Sequence, residues 1–94
     1  MATMIVRHKV ADFTNWKKVF DSMTDVRRSH GWISHQVLRD AADPSFVTIV
    51  NHARTIDGIK EYGASKELHD AMQRAGVISQ PDITFLSDEE NHSY

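Results

Sequence analysis

Apolar and polar positions alternate from Met4 to Val10, with Met4, Val6, His8 and Val10 on one side and Ile5, Arg7 and Lys9 on the other. A period of two predicts a β-strand. The period then lengthens. Phe13, Trp16, Phe20 and Met23 recur at spacings of three and four, with Val19 and Val26 beside them, which predicts an amphipathic helix. Asp12 stands where a carboxylate can accept from the free N–H groups of the first turn. Ala11 and Trp16 occupy the positions of a hydrophobic staple. Arg27, Arg28 and His30 close the last turn and Gly31 supplies the stop.

Two extended stretches follow, Ile33 to Arg39 and Phe46 to Ala53, joined by turn chemistry in Asp40-Ala41-Ala42-Asp43-Pro44-Ser45. The short link predicts an antiparallel hairpin. With Arg39 opposite Phe46, Val37 meets Thr48, His35 meets Val50 and Ile33 meets His52 on one face. Ser34, Gln36, Leu38, Val47, Ile49 and Asn51 take the other. An even slip preserves these sets, whereas an odd slip mixes them. Thr55 caps a second helix to about Gly63. Ser65 opens a new cap, followed by Glu67, Leu68, Met72 and Ala75 and ended by Gly76, so this helix is kinked or split. Pro81 breaks the chain, Ile83 to Leu86 forms a last strand, and 88–94 is a polar tail.

Strand, helix, strand, strand, helix, strand is the ferredoxin-like βαββαβ order of an α+β fold, an antiparallel four-stranded sheet with both helices on one face. One domain over 1–94, ordered at about 3–87, accounts for the length. Two helices cover one face of the sheet, yet both faces of the hairpin carry apolar residues. At about 25 cal/mol per Å² of apolar surface, leaving them wet costs several kcal/mol. A homodimer through the helix-free sheet face is therefore expected.

Composition narrows the function classes. The 94 residues carry 11 basic and 13 acidic side chains, a net charge of -2, which lacks the footprint of a nucleic-acid or anionic-membrane binder. The chain has no cysteine, so disulfides, thiolate metal sites and a cysteine nucleophile are all out. Apolar runs are short and no secretion signal opens the chain, so a cytoplasmic protein is expected. No Gly-rich phosphate loop, GxSxG elbow or kinase signature is present, and neither is HxH or HExxH. No metal and no cofactor are expected.

Val6-Arg7-His8-Lys9-Val10-Ala11-Asp12-Phe13 with Trp16-Lys17 and Phe20-Asp21 resembles the opening of small proteins of the dimeric α+β-barrel superfamily, within it the antibiotic-biosynthesis-monooxygenase-like group. Asp43-Pro44 before the third strand is similar to that group, as is Ser65-Lys66-Glu67-Leu68 with Ala71-Met72 and Ala75-Gly76-Val77. The likeness runs from about Met4 to Leu86. It implies the fold more strongly than the chemistry, since members include cofactor-free oxygenases of polyphenolic rings, polyketide cyclases, lactone isomerases and haem-degrading enzymes. It also implies a cavity on the helix-free face, lined by Thr48 and His52 with His35 across the hairpin. Oxygenase members often carry a Trp near the end of the third strand, where His52 stands here. Haem-degrading members place a His on the next helix, where Tyr62 is the nearest counterpart, so the haem signature is missing.

His35 and His52 are the expected catalytic pair, diagonal neighbours able to take a proton from a phenol or an activated C–H. Arg39 shares their face and can steady an enolate or phenolate, or simply end the hairpin. Tyr62, Trp32, Val37, Val50, Phe46 and Thr48 complete the expected substrate-binding set. The first strand leaves His8 open. Facing the helices with Val6 and Val10 it is a satisfied core or rim histidine, and facing the cavity it adds a third imidazole that invites zinc or iron. The leading expectation is a cofactor-independent monooxygenase acting on an aromatic or polyketide-like molecule by His-assisted deprotonation. Cyclase or isomerase chemistry without oxygen and a non-catalytic ligand-binding dimer stay open beside it.

Overall fold

The computed structural model of the chain describes residues 1–94. Its elements are β1 (Ala2–Lys9), α1 (Phe13–Ser22), α2 (Thr24–Ser29), β2 (Trp32–Arg39), β3 (Phe46–Ala53), α3 (Ile56–Gly63), α4 (Lys66–Arg74) and β4 (Asp82–Ser87). The four strands form one antiparallel sheet in the order β2-β3-β1-β4. This is the ferredoxin-like arrangement that the order of elements predicted.

All the helices pack on one face. Met4, Val6, Val47, Ile49 and Ala53 point from the two central strands into a buried cluster with Trp16, Ile59 and Ala75, and Phe13, Val19 and Phe20 pack against it. Ile59 and Val47 are fully buried. The caps read from the sequence are made. The Thr14 N–H donates to Asp12 at 3.0 Å, the Gly58 N–H to Thr55 at 3.1 Å and the Leu68 N–H to Ser65 at 3.2 Å. Gly31 and Gly76 take φ of +92° and +75°, the left-handed region that suits glycine after a helix.

The first helical stretch is not continuous: α1 stops at Ser22 and α2 begins at Thr24. The Phe20 carbonyl accepts from the Met23 N–H at 3.1 Å and from Arg27 Nη1 at 2.8 Å. Thr24 Oγ1 also donates to the Asp21 carbonyl at 2.7 Å. Side-chain donors thus take carbonyls that a continuous helix would use, and the stripe breaks at Met23. The split between α3 and α4 falls where Gly63 and Ser65 placed it.

Gly58 is where α3 meets the end of α2. A Cβ built there would lie 2.4 Å from the His30 backbone carbonyl oxygen and 3.2 Å from Thr55 Oγ1. Backbone cannot yield as a side chain can. Gly58→Ala is therefore expected to destabilise by about 1–3 kcal/mol despite alanine's better helix propensity. Thermal unfolding followed by circular dichroism reads this as a lowered Tm.

Candidate functional site

The hairpin register decides which residues share a site. Arg39 pairs with Val47, Val37 with Ile49 and His35 with Asn51, while Leu38, Gln36 and Ser34 pair with Thr48, Val50 and His52. This is one residue from the expected pairing, the odd slip that exchanges the faces of one strand relative to the other. The cause is Asp40. Its N–H donates to the Phe46 carbonyl at 3.0 Å, extending the ladder into the presumed turn. Its carboxylate meanwhile caps that turn, accepting from the N–H groups of Ala42 and Asp43, both at 2.9 Å. These bonds hold its carboxyl below the usual aspartate range.

The expected catalytic pair is consequently not formed. His35 lies on the helix side, its ring edge-on to Phe20 at 5.0 Å between centroids. Partial burial, helped by Arg27 and Lys17 nearby, lowers its pKa. His52 lies on the helix-free face, where its Nδ1 is 3.1 Å from Thr3 Oγ1. Thr3 in turn donates to Asp88 at 2.8 Å.

His8 answers differently from either reading. It lies in β1 with Met4 and Val6, facing the helices, and is only 3% exposed. It is not a satisfied core histidine: neither ring nitrogen has a hydrogen-bond partner. Its ring stands edge-on to Trp16, centroids 5.9 Å apart. Burial pushes its pKa down to about 4, so the imidazole is neutral near pH 7. Leaving a buried donor and acceptor unmet costs roughly 1–3 kcal/mol. With His8 and His52 on opposite sides of the sheet, the three imidazoles do not converge, and no cluster of three His, Asp or Glu side chains suits a metal.

His8 opens into a cavity between sheet and helices. Met4, Val6, Ile49 and Asn51 form its floor, Trp16, Phe20 and Met23 one wall, and Tyr62, Leu68 and Met72 another. Its volume is about 60 Å³, room for a few waters, and the lining is overwhelmingly apolar. Trp16 and Phe20 stack on one another at 4.9 Å with planes 18° apart.

The other polar groups are held in place. Asn51 is 3% exposed, its Nδ2 donating to the Met4 carbonyl at 3.1 Å and its Oδ1 accepting from Trp32 Nε1 at 2.9 Å. Arg27 is also 3% exposed. Its guanidinium lies 3.8 Å over the Phe20 ring, and its Nη2 donates to Thr24 Oγ1 at 3.3 Å. Burial pulls the Arg27 pKa down and pushes that of Tyr62 up, while each counters the shift of the other. Tyr62 packs against Trp32 at 4.9 Å.

The expected binding residues are therefore divided. Trp32, Val37, Arg39 and Tyr62 belong to the helix side, Val37 by its pairing with Ile49. Among them only Tyr62 lines the cavity. Arg39 stacks on Phe13 at 4.3 Å and its Nε donates to the Pro44 carbonyl at 2.9 Å, which makes it a residue of the hairpin end. Thr48, Val50 and Phe46 share the helix-free face with His52, and Phe46 lies under the Arg7 guanidinium at 4.1 Å. Sequence reasoning missed Asn51 and Arg27. Asn51 is a polar residue at an inward position between Ile49 and Ala53, which was the available signal. Arg27 sits four residues from Met23 on the apolar stripe.

No protein-family model matches the sequence, and no curated protein matches it either. Solved structures do. SnoaB, a cofactor-independent oxygenase from Streptomyces nogalater, is similar with a TM-score of 0.77 and 13% identity, over 96% of this chain and 94% of that one. An antibiotic biosynthesis monooxygenase is similar with a TM-score of 0.71 and 8% identity, over 96% and 100%. Rv0793 from Mycobacterium tuberculosis is similar at 0.72 and 14%, over 98% of both. The likeness is one of fold, and the fold is the one implied by the resemblance in the sequence. No helix is long and apolar enough to cross a membrane.

Proposed function

We propose, from a fold shared with antibiotic biosynthesis monooxygenase structures, that this chain is a cofactor-independent oxygenase acting on a small aromatic or polyketide-like molecule. The molecule binds in the cavity between sheet and helices, and His8 is the base. One observation carries the reading: a neutral imidazole, both nitrogens unpartnered, in an apolar cavity walled by stacked Trp16 and Phe20. A mostly apolar cavity with a few polar groups binds a mostly apolar molecule and orients it.

The chemistry needs no further group. A CH₂ flanked by a phenol or carbonyl gives a proton to His8, leaving a carbanion delocalised over the ring. The carbanion passes electrons to O₂ and a C–O bond forms. The resulting peroxide anion takes the proton back from the imidazolium and loses water, so CH₂ and O₂ become C=O and H₂O. Burial disfavours an isolated imidazolium, but the carbanion beside it offsets that cost and raises the pKa of His8 in the complex. A fused-ring substrate displaces the wall of Tyr62, Leu68 and Met72, and methionine side chains at the cavity adapt readily to such a change.

The helix-free face supports the assembly part of the reading. Ile5, Phe46, Thr48 and Val50 are only half-buried there, and Leu38 and Leu86 are exposed. A second copy covers this face, making a homodimer. Val50→Asp would bury a carboxylate without a partner at the centre of that contact. Analytical ultracentrifugation at micromolar concentration is expected to show a dimer for the wild type and a monomer for the variant.

The enzymatic part is tested by oxygen uptake with anthrone, compared with anaerobic incubation. One O₂ consumed per anthrone converted, with no conversion in its absence, is the expected result. Conversion that proceeds equally without oxygen points instead to cyclisation or isomerisation. No conversion under either condition, with no binding, overturns the reading.

A further inference from the structure

We infer that the substrate carries a carboxylate and that Arg27 is its anchor. The inference rests on the proposed use of the cavity and adds the substrate's charge. Arg27 is a buried guanidinium with no carboxylate within ion-pair distance. Its direct contacts are neutral, namely the Phe20 ring and carbonyl, the Thr24 hydroxyl and the Tyr62 phenol, and Asp21 acts on it only from beyond ion-pair distance. The acidic residues nearby are spent elsewhere. Asp21 is held by Lys17 Nζ at 2.6 Å, and Asp25 by Arg28 at 3.0 Å. A desolvated cation without a counter-ion is costly, and a carboxylate in bidentate contact is the group that matches its planar fork.

Position strengthens the case. Arg27 belongs to the walls of two spaces, the apolar cavity and a polar basin of about 320 Å³ formed by α2 and the start of β2. Thr24, Arg28, Ser34 and His35 line the basin with it, and no acidic side chain does. The basin is a route by which an anion reaches Arg27. Within the cavity, His8 meets the edge of Trp16 and Arg27 covers Phe20, so imidazole and guanidinium flank one aromatic stack. A ring laid along that stack presents its acidic proton to His8 and its carboxylate to Arg27. Tyr62, buried beside Arg27, donates a further hydrogen bond.

The test compares three probes on the intact wild-type protein by tryptophan fluorescence: phenol, 4-hydroxybenzoate and methyl 4-hydroxybenzoate. The acid is expected to bind about tenfold or more tighter than its methyl ester, the gain of charge-assisted hydrogen bonds. Arg27→Met, which replaces the guanidinium by an apolar chain of similar length, is expected to abolish that preference and leave ester binding intact. Arg27→Lys retains part of it. Phenol and ester binding with no preference for the acid overturns the anchor and leaves the proposed cavity standing. Failure of all three probes to bind removes both. The wild-type comparison decides the matter even if the Arg27 variants do not fold.

Discussion

Replacing His8 with leucine is expected to lower turnover of an anthrone-type substrate by about 10²–10⁴-fold, the usual worth of a general base. The same change is expected to raise the melting temperature. Both ring nitrogens of His8 are buried without partners, so an apolar side chain of similar size removes an unmet donor and acceptor. The gain in stability is on the order of 1 kcal/mol, reduced by any mismatch against the Trp16 edge. Opposite signs for activity and stability separate a functional residue from a packing residue. A variant that loses both would make His8 part of the core. One that keeps its turnover would take the base away from the proposed mechanism.

Acid should destabilise the wild type well before its carboxylates titrate. Burial holds the folded-state pKa of His8 at about 4, against 6.5 for an unperturbed histidine. The unfolded chain therefore binds more protons than the folded chain between these values, and stability falls as pH drops through that window. Above pH 6.5 both states are neutral at this site and nothing is lost. Below pH 4 the loss is complete, at about 3 kcal/mol. His35, also lowered, acts in the same direction, so the informative quantity is the difference between wild type and His8→Leu. Asp40 and Asp43 are held below the usual aspartate range and act only at lower pH. Urea unfolding at a series of pH values should show wild type and variant diverging from pH 6.5 to 4.

Most of the fold was legible because local chemistry repeats it. Asp12, Thr55 and Ser65 offer caps that the folded chain uses, Gly31 and Gly76 mark the stops, and the change of period from two to three and four separates strand from helix. What local pattern leaves open is whether Asp40 belongs to turn or strand. Asp40 does both, its backbone in the ladder and its side chain in the turn, and that single residue moves His35 to the opposite face from His52. The break at Met23 depends on Arg27 reaching back to the Phe20 carbonyl, a contact that helical periodicity does not encode. Arg27 read as a helix-end cation because charge at a C-terminus is ordinary, and its burial is a tertiary fact. Strand periodicity gave His8 its side of the sheet once Val6 was placed. Its lack of a partner within the chain is a matter of tertiary packing, which strand periodicity does not encode.

The most direct test of the cavity as the binding site is the imidazole ¹⁵N spectrum of uniformly labelled protein during titration with methyl 4-hydroxybenzoate. The ring nitrogens of His8 are expected to shift with saturation, as an unpartnered imidazole acquires a hydrogen bond from the phenol, while those of His52 on the far face stay where they are. Movement of the His52 signals with those of His8 unchanged would contradict it and return the ligand to the helix-free face of the sheet.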